Sequence, residues 1–143
     1  MTKKTFGTAL VIGASRGLGL ELVRQLLAAG SRVIATVRTA EARAALQTLG
    51  AEVLTLDVAD PASVGGLARQ LGGEPFDLAF YVAGVMRRMG ATTPPTQQDF
   101  DAVMHANVLG AMQTLPQVTP LVESAGGVFA FMSSSMSQIG SVP

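Results

Sequence analysis

Five short apolar runs, set apart by stretches of helical periodicity, constrain this chain more than any single motif. They read TALVI at 8–12, RVIATV at 32–37, EVLTL at 52–56, DLAFYV at 77–82 and VFAFM at 128–132. All are short, and most are rich in β-branched or aromatic side chains, which fits strands buried on both faces. Between them, apolar residues recur three and four apart. Leu18, Leu22, Leu26 and Leu27 follow the first run, and Ala42, Ala45, Leu46 and Leu49 follow the second. Val64, Leu67, Ala68 and Leu71 follow the third, and Phe100, Val103, Met104, Val108, Ala111 and Leu115 precede the fifth. Strands alternating with helices predict βαβ units and a parallel sheet. The stops agree: Thr39 caps and Gly50 ends the second helix, Asp60-Pro61 opens the third, and Thr96 with Asp99 resembles a capping box. The last helix spans about residues 97–122 and is expected to kink near Pro116.

Composition narrows the class. The chain has 143 residues, 48% of them hydrophobic and 14% charged, with a mean hydropathy of +0.40. That length suits a single domain, and the apolar balance suits a sheet covered on both faces. No apolar run reaches the about 18 residues a spanning helix needs. Lys3 and Lys4 ahead of ALVIGA faintly resemble a signal peptide, but Arg16 cuts the apolar stretch short. The expectation is a cytoplasmic protein with no membrane partner. With no cysteine and one histidine, thiol and zinc chemistry are poorly provided for. Ten basic residues balance ten acidic ones without long runs, so no nucleic-acid footprint is expected and the partner is a small molecule.

The segment VIGASRGLGLELV joins the first strand to the first helix, with glycines at 13, 17 and 19. Gly13 allows a sharp exit from the strand, Gly17 lets backbone approach a pyrophosphate, and Gly19 lets the helix pack closely. The free N–H groups at that helix start attract phosphate. The spacing G-x-x-x-G-x-G is not the G-x-G-x-x-G of most dinucleotide folds, and no Lys-Ser/Thr follows to make a Walker loop. A purely structural glycine turn is the plain alternative.

In these residues the chain closely resembles the short-chain dehydrogenase/reductase family, of the type using T-G-x-x-x-G-x-G, with Ile12 in place of the threonine. The resemblance runs from about Thr8 to Gly140. It implies a doubly wound α/β Rossmann fold with five parallel strands in the order 3-2-1-4-5, and a cofactor held by Gly13, Ser15, Arg16, Gly17, Leu18 and Gly19. At the end of the second strand an acid commonly binds the ribose 2′-hydroxyl of NAD. Arg38 stands there instead, and with Arg16 it offers two guanidinium groups for a 2′-phosphate, so NADP(H) is favoured over NAD(H). Two solvated surface arginines are the alternative.

By the same resemblance, Asp57 meets the adenine amine with Val58 beside it. YVAG at 81–84 stands where the family has N-N-A-G, so Ala83 and Gly84 line the cofactor while Tyr81 and Val82 replace both asparagines. Tyr81 by itself reads as a β-favouring strand residue. Asn107, three and seven residues beyond Met104 and Phe100, falls within an apolar stripe and needs hydrogen-bond partners. It is either satisfied by local backbone or, as ANVLG resembles the family motif, helps hold a water in a proton relay. Ser133 and Ser134 match the serine pair that closes the fifth strand, which makes Ser134 the candidate catalytic hydroxyl. The serine run leaves the register open by one position, with Ser135 the fallback and a polar turn the alternative.

The resemblance further implies a tyrosine and a lysine four residues later as proton donor and its partner. The only tyrosine is Tyr81, with Val85 four residues on, and the only lysines are Lys3 and Lys4. The expectation is therefore one NAD(P)-binding domain over 1–143, truncated after strand five and lacking the catalytic helix and substrate loop. The implied function is hydride transfer between NADP(H) and a carbonyl or alcohol. The rivals are a dinucleotide-binding protein without turnover and a fragment that folds poorly alone. Homo-oligomerisation through the long helix 97–122 is a further expectation.

Overall fold

A computed structural model describes residues 6–86 and 92–134. The order of elements is β1 (Thr8–Ile12), α1 (Gly17–Ala28), β2 (Arg32–Val37), α2 (Ala40–Leu49), β3 (Glu52–Thr55), α3 (Pro61–Gly65), α4 (Leu67–Leu71), β4 (Leu78–Tyr81), α5 (Gln97–Met104), a π-helical segment (His105–Leu109), α6 (Gly110–Ser124) and β5 (Val128–Phe131). Among the described residues, the strands form one parallel sheet in the order β3-β2-β1-β4-β5, as expected.

The strands read as apolar throughout because successive side chains enter two different cores. Leu10 and Ile12 of β1 join Ile34, Ala79 and Tyr81 against α3, α4 and α6. Val11 joins Val33, Ala35 and Val37 against α1 and α2. Leu10, Val11 and Ile12 are fully buried, and truncating such a side chain to alanine costs about 2–5 kcal/mol. Helix ends follow the sequence: Thr39 Oγ1 accepts from Ala42 N, Gly50 ends α2 at φ 104°, and Asp60 accepts from Ala62 N ahead of Pro61. Thr96 accepts from Asp99 N and donates its hydroxyl to Asp99 Oδ2.

Several expected helix faces are corrected. In α1 Leu26 and Leu27 pack against the core as expected, but the fully buried positions are Gly19 and Val23, and Leu18 is 62% exposed. In α2 only Leu46 is buried, and Ala45 and Leu49 are exposed. The third helix is two, divided at Gly66; Val64, Leu67 and Leu71 are buried as expected, but Ala68 is exposed with its N–H donating to Gln117 Oε1. The expected long helix also changes. It departs from α-geometry at His105–Leu109, upstream of Pro116, and α6 continues through Pro116 and Pro120. Its buried row is Ala106, Gly110, Thr114, Val118 and Val122, four residues apart. Phe100, Met104, Val108 and Leu115 of the expected stripe are exposed. The inward row is small because the segment runs close to neighbouring backbone: a Cβ on Gly110 would lie 2.5 Å from Val58 O.

Candidate functional site

Register places the site. Leu54, Thr36, Ile12, Tyr81 and Phe131 are cross-strand neighbours at the carboxyl edge of the sheet. Just beyond them the chain enters the turns carrying Gly13, Arg38, Asp57, Ala83 and Met132. The strand order reverses between β1 and β4, and the crevice outside that switch is where open α/β sheets bind ligands. A cleft of about 620 Å³ opens there. Its walls include Gly13, Ser15, Arg16, Gly17, Leu18, Arg38, Asp57, Val58, Ala83 and Gly84, all but one of the residues expected to hold a cofactor.

The remaining residue, Gly19, acts from behind. A Cβ there would lie 2.0 Å from Gly13 O, so the first turn of α1 packs on the strand exit itself. Gly13 adopts φ 91°, and a Cβ on it would meet Ala83 N at 2.5 Å. Gly17 differs, with φ 58° and no atom within 4 Å of a Cβ, which leaves the backbone open to the cleft. Arg16 is the N-cap of α1 but makes no capping hydrogen bond through its side chain, so the helix start retains donors for an anion. These are the features a bound pyrophosphate requires.

Arg16 and Arg38 are exposed, and neither is ion-paired among the described residues. Three other arginines are engaged: Arg32 bridges Glu52 and Glu74, Arg24 pairs with Glu21, and Arg43 donates to Thr55. Two uncommitted guanidinium groups on one cleft suit a phosphate. Asp57 is part-buried and locally held, with Oδ1 accepting from Ala59 N at 3.0 Å and its own N–H donating to Ser63 Oγ.

The β4 exit is tied from both sides. Val82 N and Ala83 N both donate to Ile12 O at 2.9 Å. From the other side, Asn107 Oδ1 accepts from Val85 N and its Nδ2 donates to Val85 O, each at 2.7 Å. Asn107 is thus neither buried in a stripe nor satisfied locally, because it is an exposed residue whose amide pairs with backbone 22 positions away. It does not line the cleft, whereas Ala102 and Ala106 do. Tyr81 is buried, stacks on Phe131 at 5.5 Å and donates to Ala106 O in the π-helical segment at 3.3 Å. Burial pushes its hydroxyl up to about 12. Tyr81 ends β4, in line with its reading as a strand residue, and its hydroxyl adds a polar tie to Ala106 for which the sequence carries no signal. Thr36 was also passed over, and its hydroxyl accepts from Gly13 N.

Ser133 and Ser134 are exposed residues following β5, and the cleft reaches their neighbour Met132. Ser135 lies outside the described residues.

A model of the short chain dehydrogenase family matches residues 7–142, and the chain belongs to this family of oxidoreductases, which bind nicotinamide dinucleotides. An NADPH-dependent pterin aldehyde reductase of Arabidopsis thaliana is 32% identical, with 93% of this chain matching 58% of that protein. Carbonyl reductase (NADPH) 1 of Bos taurus is 32% identical, with 84% of this chain matching 46% of that protein. The structure of a Burkholderia multivorans short-chain dehydrogenase/reductase with bound NADP superposes with a TM-score of 0.83 at 30% identity, covering 95% of this chain and 62% of that one. The chain spans about half the length of the curated relatives it matches. Among the described residues, no helix is long and apolar enough to cross a membrane.

Proposed function

We propose that the chain holds NADP(H) across the carboxyl edge of its sheet and serves hydride transfer to or from a small carbonyl or alcohol substrate. The observation that carries this reading is the open backbone at Gly17, at the uncapped start of α1 and within the same cleft as two uncommitted arginines. Gly13, Ser15, Gly17 and Leu18 cradle the pyrophosphate, with Gly19 behind them, and Arg16 and Arg38 pair with a 2′-phosphate. Asp57 and Val58 flank the adenine, while Ala83 and Gly84 line the far wall. When bound, the nicotinamide supplies or accepts the hydride. Ser134 orients the reacting oxygen, and Asn107, its amide committed to Val85, supports a proton relay through the backbone it holds in place. The NADP bound in the Burkholderia structure and the NADPH dependence of the Arabidopsis enzyme favour the phosphorylated cofactor. We place the protein in the cytoplasm. Its association with a second copy runs through the helical face at 97–122, where Phe100 and Met112 are 56% and 67% exposed.

One observation favours a second reading, binding without turnover. Tyr81 is buried with its hydroxyl committed to Ala106 O, and Val85 stands four residues beyond it, so this tyrosine does not supply a proton to the cleft. NADPH fluorescence titration paired with a carbonyl-reduction assay separates the cases. Binding with turnover supports the first reading, binding without turnover the second, and no binding of NADPH or NADH overturns both.

A further inference from the structure

We infer that Thr36 is the positioning residue of the glycine turn, and that its hydroxyl, reaching over from β2, sets the geometry in which the turn meets an anion. The argument begins with the backbone. At Gly13 the chain leaves β1 with φ 91°, and the β2 carbonyl beside it, Thr36 O, accepts from Ala14 N, so the Gly13 N–H needs another partner. Its immediate neighbours Ile12 and Ala14 carry no polar side chain, and the partner found is Thr36.

Thr36 meets the need twice. Its Oγ1 accepts from Gly13 N at 3.1 Å, and its backbone oxygen accepts from Ala14 N at 2.9 Å. It stands directly beside Ile12 in the parallel register and is 1% exposed, so water cannot readily replace its hydroxyl. On the opposite side the turn is fixed by contact, because Ala83 N would lie 2.5 Å from a Cβ on Gly13. Behind it, Gly13 O abuts Gly19. The Thr36 side is thus the one where a single side-chain group decides the position of the turn. Arg38 follows two residues later, just past the end of β2, so Thr36 ties the phosphate-facing turn to the cation beside it.

This inference rests on the dinucleotide reading for its functional consequence, but not for the clamp itself, and the experiment keeps the two apart. Thr36→Val removes the hydroxyl at nearly constant shape, and Thr36→Ser keeps the hydroxyl while losing the methyl. Amide hydrogen exchange at Gly13 reads the clamp, with Leu10 and Val11 in β1 as internal references, and NADPH fluorescence titration reads its consequence. T36V is expected to speed exchange at Gly13 without changing Leu10 or Val11, and to weaken NADPH binding roughly tenfold, the effect of one unsatisfied hydrogen bond. T36S is expected to behave as the unmodified chain in both. Unchanged Gly13 exchange in T36V overturns the inference. So does T36S failing as badly as T36V, or loss of protection throughout β1, since either assigns Thr36 to packing. If Gly13 exchange follows the hydroxyl but the unmodified chain binds no dinucleotide, the clamp stands and the dinucleotide reading falls.

Discussion

Asn107 and Val85 form a closed pair, in which the amide of one accepts from and donates to the backbone of the other at 2.7 Å in each direction. This pair fastens the π-helical segment to the loop leaving β4. It also accounts for the small residue at Gly84, where a Cβ would lie 3.2 Å from Asn107 Oδ1. Asn107→Asp keeps an acceptor for Val85 N but sets a carboxylate against Val85 O. Given about 0.5–1.5 kcal/mol for a neutral hydrogen bond, N107D is expected to weaken NADPH binding roughly three- to tenfold and to accelerate exchange at the Val85 amide. Wild-type exchange at Val85 would show that the pair does not hold the loop.

The glycines of the turn should separate fold from binding. Gly19→Ala drives a Cβ into Gly13 O and is expected to destabilise the chain by more than about 2 kcal/mol, with a clear fall in melting temperature. Gly17→Ala meets no atom and carries only the strain of its positive φ, about 1–2 kcal/mol. G17A should therefore stay folded yet bind NADPH poorly, because its methyl occupies the anion's approach. Thermal denaturation and titration, read side by side, test the contrast.

Arg38 should govern the choice between cofactors. A charge-assisted hydrogen bond is worth about 1.5–3 kcal/mol, so Arg38→Ala is expected to raise the NADPH dissociation constant roughly ten- to a hundredfold while leaving NADH nearly unchanged. Paired titrations that fall by equal factors would remove Arg38 from 2′-phosphate recognition.

Tyr81 ties stability to alkaline pH. Burial pushes its hydroxyl from 10.0 up to about 12, so the folded chain holds a proton that the unfolded chain releases first. Its contribution is complete below pH 10 and is lost as pH rises toward 12, at up to about 1.4 kcal/mol per pH unit. Tyr81→Phe loses the bond to Ala106 O and should be about 1 kcal/mol less stable at neutral pH. That deficit should shrink above pH 10 and then reverse. Urea unfolding at neutral pH and near pH 11.5 checks the crossing, and parallel curves would show that Tyr81 does not titrate on unfolding.

The strands and caps were legible because their causes are local. TALVI and RVIATV are apolar whichever face they bury, and Thr39, Gly50 and Asp60 act within three residues of their own position. Helix faces were less legible. Phe100, Met104, Val108 and Leu115 make a regular apolar stripe, but the buried row is Ala106, Gly110, Thr114, Val118 and Val122. Bulk marks an apolar face from sequence, whereas close approach to Val58 selects small side chains for the inward one.

By itself the sequence determined the alternation of strand and helix and the glycine turn at 13–19 with Arg16 inside it, since each depends on neighbours along the chain. Only the tertiary structure decided what meets across the sheet: Thr36 with Gly13, Tyr81 with Ala106, and Asn107 with Val85. Those pairs are 22 to 25 residues apart, and their geometry exists only once the parallel register brings the strand ends into line.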